Sequence, residues 1–433
     1  MVLHNIFCFI LFYGMSAATR STNGSLKKEM FTLFGCVVLL STVCSLIGLV
    51  FAFSKSDISV PICNINSKHL KDYVNLINPN SANEYITIGF LDNRFVGIFS
   101  NSNLQGFCNC ISLVFSHIIL KKDNLPGSLK VLIYFSFIIN GASLLLTDSN
   151  ASLLFVIIYY TVLWFYKLIL SFDSEVINGR KIRIMEFLKK TVIWSLACIF
   201  LFISVFKCRD TFQSIVAKSI SCIQNKQSSQ EIVIDNSIDN QQIIVSDNEQ
   251  VIDKSIEIIE NDSNIDDEVE QSAQYEADES NSSEPQNMKI GRENYDISSG
   301  RFILWKQAFK IFIHHPVFGI ARGNIIYYGQ RYLKNGILCY DLHNGYLTVL
   351  VCYGMAGFLS LLLFAFCVLI KLSNKLLRCA KKNDNGVFPC LFSLVIAFGV
   401  HSLFEKAILS EPSFMCVVFW LVLGYAINYT SIE

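Results

Sequence analysis

The feature that most constrains this chain is a series of apolar runs, most of them about 18 residues or longer, a length that suits a helix crossing a bilayer. Nine are read, at residues 5–18, 31–53, 103–120, 129–147, 151–170, 188–206, 345–370, 388–403 and 413–429. Of the 433 residues 52% are hydrophobic and 16% charged, and no soluble core accounts for so many runs. The expectation is an all-α, polytopic integral membrane bundle of about nine spans. Membrane lipid is therefore an expected partner. Net charge is zero and no basic patch with interleaved aromatics stands outside the membrane-flanking loops, so nucleic acid is not. Among fifteen cysteines, only Cys63, Cys208, Cys222 and Cys339 fall in long loops, and none has a zinc-type spacing.

Loops rich in Lys and Arg stay cytoplasmic. Such clusters follow the first, third, fifth and seventh runs: Arg20, Lys27 and Lys28; Lys121, Lys122 and Lys130; Arg180, Lys181, Arg183, Lys189 and Lys190; Lys375, Arg378, Lys381 and Lys382. All four alternate correctly, which places 54–102, 207–344 and 404–412 outside the cytoplasm and the C-terminus inside. The first run is short, and Ser16-Ala17-Ala18 gives it a signal-peptide reading. Basic residues follow that run and none precede it, which favours a span. The resulting outer N-terminus leads to the expectation of a further span upstream.

Four segments follow from composition: an N-terminal bundle of six spans over 1–206, an insert over 207–297, a loop over 298–344 and three C-terminal spans over 345–433. The insert is dominated by Ser, Asn, Gln, Asp and Glu, as in QSSQEIVIDNSIDNQQ, and is expected to be a disordered acidic tether. The loop is different. Arg301 and Trp305 open an amphipathic helix with Phe302, Phe309 and Phe312 on its oily side and Lys306 and Lys310 along one edge. His315-Pro316 closes it, because the residue before proline is pushed out of the α region. Gly319 and Gly323 let backbone amides near Arg322 and Asn324 approach a ligand, and His343-Asn344 stands at the mouth of the next span.

Two more polar segments lie on the same side of the membrane. Arg94 to Asn103, RFVGIFSNSN, leads into the third span, where Ser and Asn serve equally as helix caps or as ligand contacts. Leu146 to Ala151, LTDSNA, forms a tight turn in which capping is the better reading. For Arg301 the plain alternative is a snorkelling arginine, and for His343 a capping imidazole.

Taken in order, R-x-x-G-I-F-S-N-S-N, T-x-S, S-G-R-x-x-x-W-K-x-A, H-P-V-F-G-I-x-x-G-N, H-N-x-Y-L, Y-G-M-A-G and H-S-L-F-E resemble the O-antigen ligase and polysaccharide polymerase family over residues 90–425, the insert excepted. The resemblance implies a GT-C-like bacterial plasma-membrane glycosyltransferase. Its donor would be a polyprenyl-diphosphate-linked glycan, used on the outer face with a glycan or lipid-linked acceptor and no cofactor. By similarity His343 is the general base and Arg301 binds the donor diphosphate, with Arg322, Arg94, Asn324, Asn344, Asn103 and Trp305 as further substrate contacts. The chemistry suits these residue types: a guanidinium fork matches phosphate oxygens, and neutral imidazole accepts a hydroxyl proton near neutral pH. One departure stands out, because the family places an arginine just after T-x-S where this chain has Asn150. Arg94, Arg322 and Arg331 are candidates to supply that charge. No Asp-x-Asp occurs, which favours metal-independent chemistry. Glu405 and Glu411 are read as solvated or capping groups ahead of acceptor ligands. A polymerase is preferred to a ligase, and a lipid-linked oligosaccharide flippase or an inactive assembly subunit are the other readings.

Overall fold

The computed structural model describes residues 23–54, 57–61, 85–91, 93–99, 101–122, 124–177, 184–238, 301–333, 342–382, 386–405 and 413–429. The first apolar run, the cysteines Cys63 and Cys339, Gly300 and Glu411 lie outside these residues. The helices are α1 (Asn23–Ser54), α2 (Ser102–Leu120), α3 (Gly127–Leu146), α4 (Asn150–Ile177), α5 (Ile184–Ile238), α6 (Arg301–His314), α7 (Ile325–Tyr332), α8 (Gly345–Lys381), α9 (Val387–His401) and α10 (Phe414–Asn428). Six of them are long and apolar enough to cross a membrane, and α9 and α10 are shorter apolar helices. These eight coincide with the last eight runs read from the sequence. The chain is an all-α polytopic membrane protein.

The fold divides into one compact unit of residues 1–217 and 289–433 and a second of residues 218–288, of which the described part is residues 218–238, within α5. Helix covers residues 207–238 of the segment that the sequence suggests is a disordered insert, and the remainder of that segment, 239–297, lies outside the described residues. As far as Ala217 the helix is packed on the bundle: Arg209, Gln213, Val216 and Ala217 fall on one helical face, and Gln213 Nε2 donates to Leu145 O at 2.8 Å.

Inside the first unit α2 and α9 are the interior helices. Phe107, Ile111, Val114 and Ile118 of α2 share a core with Phe388, Leu391, Leu394 and Phe398 of α9. Leu39, Leu40 and Val50 of α1, Val131 and Ile138 of α3, and Leu363 and Phe366 of α8 stay exposed, an apolar exterior suited to acyl chains. Apolar burial gives little drive for helices to associate in lipid, so buried polar side chains help fix the register. Asn140 on α3 accepts from Ser41 at 2.7 Å and donates to Thr42 at 2.8 Å, while Ser45 donates to Asn109 at 2.8 Å and Gln105 Nε2 donates to Ser45 at 3.1 Å. Those bonds join α1, α2 and α3.

A small antiparallel sheet of β1 (Asp57–Pro61), β2 (Tyr85–Leu91) and β3 (Arg94–Gly97) precedes α2. Its last strand delivers Arg94 to the start of that helix.

Helix α8 is broken. Gly354 has φ 66° and ψ −167°, so the carbonyls and amides around it lose their helical partners. The loop after α6 replaces them: Ile320 N–H donates to Val351 O (3.1 Å) and Ala321 N–H to Cys352 O (2.9 Å), while Met355 N–H donates to Pro316 O (2.7 Å) and Ala356 N–H to Val317 O (3.1 Å). Unsatisfied backbone groups cost several kcal/mol in an apolar setting, which makes the loop part of the helix's own structure. Both partners need glycine. A Cβ on Gly354 would meet Val317 O at 2.2 Å, and one on Gly319, at φ 70°, would meet Val351 O at 2.5 Å.

This seating changes the reading of α6. Ala308 and Ile311 are fully buried, in a cluster with Ile320, Leu342, Val351 and Cys352, and Phe312 packs against that cluster. Phe302, Ile303, Phe309 and Ile313 are exposed. The helix is apolar on two faces, one for the protein and one turned away from it, because the broken α8 gives its inner face something to cover. Gly354→Ala and Gly319→Ala are each expected to destabilise the protein by about 1–3 kcal/mol, through overpacking and a strained φ. Gly35→Ala, with open space at its Cβ inside a helix, is expected to leave stability unchanged or raise it by up to about 1 kcal/mol. Thermal unfolding of the detergent-solubilised chain checks all three.

Candidate functional site

Polar groups from four distant parts of the chain meet at one end of the bundle, at the carboxylate of Glu405. This residue follows the end of α9, and its own N–H donates to His401 O at 3.0 Å. Its Oε1 pairs with Arg301 Nη2 at 2.8 Å and accepts from Asn103 Nδ2 at 3.2 Å, and its Oε2 lies 3.4 Å from His343 Nδ1. The Glu405 and Arg301 side chains are only 9% and 15% exposed, while His343 is 34% exposed. A buried carboxylate is tolerable only with such partners, and breaking a buried pair costs about 3–5 kcal/mol.

The residues on either side of His343 are anchored. Trp305 Nε1 donates to Leu342 O at 2.9 Å, Gly345 N–H donates to Ser402 O at 2.8 Å, and the Asn344 side chain caps α8 by accepting from Leu347 N–H at 2.9 Å. Leu342 is fully buried beneath the turn. These anchors keep His343 at φ 45°, a left-handed conformation that a non-glycine residue adopts only when its surroundings impose it. A carboxylate at Nδ1 favours the tautomer with the proton there, so that Nε2 is the proton acceptor.

The network continues away from Glu405. Asn103 Oδ1 accepts from Arg94 Nη2 at 3.2 Å, and Arg94 also donates to Thr147 O (3.2 Å) and Asp148 O (3.3 Å) in the turn between α3 and α4. Asp148 Oδ1 pairs with Arg209 Nη1 at 2.8 Å, and Arg209 Nη1 donates to Asn150 Oδ1 at 2.7 Å. Asn101 caps α2, accepting from Asn103 N–H and Leu104 N–H at 2.9 and 3.2 Å. The Arg94–Asn103 segment thus contains both roles weighed for it: Asn101 is the cap, and Asn103 bridges Arg94 to Glu405.

Of the residues singled out in the sequence, Arg301, His343, Arg94 and Asn103 are joined through this network, with Trp305 and Asn344 supporting the histidine turn. Arg322 and Asn324 lie instead in the short 3-10 turn before α7, where Asn324 Nδ2 donates to Ile320 O at 2.8 Å and Arg322 stands within electrostatic reach of Tyr353. Arg331 is on α7, over the Tyr332 ring. Glu405 and Arg209 are the two network members that sequence reasoning gave no leading role. Glu405 was visible as a carboxylate on the same side of the membrane as His343; Arg209 stood just beyond the 188–206 run.

Among known protein families, the one described as O-antigen ligase matches residues 135–362, just over half of the chain and a stretch that contains Asp148, Asn150, Arg209, Arg301 and His343. The chain belongs to the O-antigen ligase family. Neither curated proteins nor solved structures give a match. Arg94, Asn103 and Glu405 lie outside the span matched to the O-antigen ligase family, yet they close the network around it. Glu405→Gln keeps the shape and removes the charge that holds both Arg301 and His343. Loss of a charged hydrogen bond, at about 1.5–3 kcal/mol, corresponds to a fall of about 10- to 100-fold in turnover, measured as kcat for glycan transfer.

Proposed function

We propose that the chain is an inverting, metal-independent glycosyltransferase that joins polyprenyl-diphosphate-linked oligosaccharide units into a surface polysaccharide on the outer face of the bacterial plasma membrane. The observation that carries this reading is the shared carboxylate: Glu405 binds Arg301 through one oxygen and faces His343 with the other. A guanidinium and an imidazole fixed on one anion are suited to the two ends of a sugar transfer.

In the reaction the acceptor hydroxyl oxygen attacks the anomeric carbon from the side opposite the diphosphate. The new C–O bond forms as the bond to the phosphate oxygen breaks, the electron pair leaves with the diphosphate, and the hydroxyl proton passes to His343 Nε2. Inversion follows from the direction of attack. A guanidinium has five N–H donors, so the Arg301 bond to Glu405 through Nη2 leaves donors for the diphosphate oxygens, where negative charge grows in the transition state. The positive-inside pattern of the loops supports the outer face for this end of the bundle. The exposed Phe302, Ile303, Phe309, Val317 and Phe318 around α6 suit a site that takes its donor from lipid.

The family description favours a second reading, in which the same chemistry transfers the finished glycan to a different lipid acceptor. Product length separates the two, since a polymerase lengthens the donor-linked chain and a ligase makes one transfer to the new acceptor. His343→Ala is expected to lower transfer from purified lipid-linked donor by about 10²- to 10⁴-fold. The chelator EDTA is expected to leave the rate unchanged. Full activity in the His343 variant contradicts the assignment of the base, and loss of activity with chelator contradicts metal independence.

A further inference from the structure

We infer that Arg209, arriving from α5, is a phosphate-binding residue for the anionic part of the lipid-linked donor, joined to Arg94 through the Asp148 turn. This deepens the proposed function and rests on it.

The position of Arg209 is set by helix register. Helices α4 and α5 run antiparallel, with Trp164 against Trp194 at 4.8 Å between ring centroids and Thr161 Oγ1 donating to Cys198 Sγ at 3.8 Å. Eleven residues separate Asn150 from Thr161, and eleven separate Cys198 from Arg209, so both helices advance by about 16 Å to the same level. Arg209 therefore stands opposite Asn150 at the level of the Arg94 and Glu405 network.

The guanidinium has an inner and an outer edge. Its inner nitrogen, Nη1, is held by Asp148 (2.8 Å), which is 7% exposed, and by Asn150 (2.7 Å). The plane lies over the Phe206 ring with 4.9 Å to the centroid, which fixes its orientation. The outer edge, Nε and Nη2, meets one oxygen of Asp210 at 3.0 and 2.9 Å. Asp210 is 60% exposed, whereas Arg209 is 13% exposed. An ion pair with so exposed a carboxylate contributes little, and a phosphate offers two oxygens to the same fork in place of one. The inner contacts position the cation, and the outer edge is where an oxyanion can displace Asp210. A diphosphate carries more charge than Arg301 alone neutralises, and Arg301 is already shared with Glu405. Arg209 supplies a second fork on the same network.

The test measures binding of undecaprenyl diphosphate to the purified full chain in nanodiscs of neutral phospholipid. Arg209→Ala is expected to weaken binding about 10- to 100-fold, as loss of a charged hydrogen bond does, with thermal unfolding reporting whether the variant keeps its fold. Asn150→Arg added to Arg209→Ala rebuilds a guanidinium at the spot that Arg209 now touches, and is expected to restore most of the affinity. Asp210→Asn, which removes the competing carboxylate, is expected to bind as tightly as the unaltered chain or more tightly. Unchanged binding in Arg209→Ala overturns the inference, as does a loss that Asn150→Arg fails to restore, which would assign Arg209 to holding the turn. Weaker binding in Asp210→Asn overturns it too. Repeating the series with phosphatidylglycerol in the nanodiscs separates the two sources of phosphate, because displacement of the diphosphate by that lipid through Arg209 would assign the fork to lipid headgroups. If the unaltered chain neither binds the diphosphate nor transfers glycan, the proposed function falls as well; if it does both and Arg209→Ala binds equally, only the role of Arg209 falls.

Discussion

A single buried carboxylate organises the functional end of this protein. Glu405 sits after α9 with little access to solvent, and the cost of placing its charge there is offset by Arg301, Asn103 and His343. Each partner comes from a different element, so their meeting ties the start of α2, the start of α6, the turn before α8 and the end of α9 into one structure. The same bonds that stabilise the carboxylate aim the imidazole and hold the guanidinium. On the proposed mechanism, stability and chemistry are coupled at this residue.

The backbone supplies the second constraint. A helix broken at Gly354 must find partners for its freed amides and carbonyls, and the Pro316–Ala321 loop provides them. That pairing fixes α6 beside the first turns of α8. Arg301 and Trp305 at the start of α6 then reach Glu405 and Leu342 O, which places the histidine turn. The interior polar bonds of Ser41, Ser45, Gln105, Asn109 and Asn140 do similar work lower in the bundle, fixing how α1, α2 and α3 sit against one another. Because α2 is so fixed, Asn103 in its first turn stands where Glu405 needs a donor.

Much of this was legible in the sequence. Apolar runs located eight described helices, since span length is set by the bilayer and leaves a direct trace in composition. The basic-residue pattern put Arg94, the Asp148 turn, Arg301, His343 and Glu405 at the same end of the bundle, and the network joins them there. What the sequence concealed depends on contacts between distant residues. Asn103 and Glu405 are 302 positions apart, and although Glu405 ends the H-S-L-F-E stretch, that stretch does not say which distant groups meet its carboxylate. Arg209 falls among the first residues of a polar insert in the sequence; only the α4–α5 register reveals that it faces Asn150. The break at Gly354 was hidden by an apolar run that reads as one continuous helix, and the second apolar face of α6 was hidden with it.

A double-mutant cycle on unfolding free energy measures the coupling of Arg301 to Glu405 across the bundle end. Arg301→Met, Glu405→Gln and the double variant would be unfolded alongside the unaltered chain under identical detergent conditions. The double variant is expected to be less destabilised than the sum of the two single changes by about 1 kcal/mol or more, because each single change leaves a buried charge without its partner. Additivity within about 0.5 kcal/mol would show that the two residues do not interact.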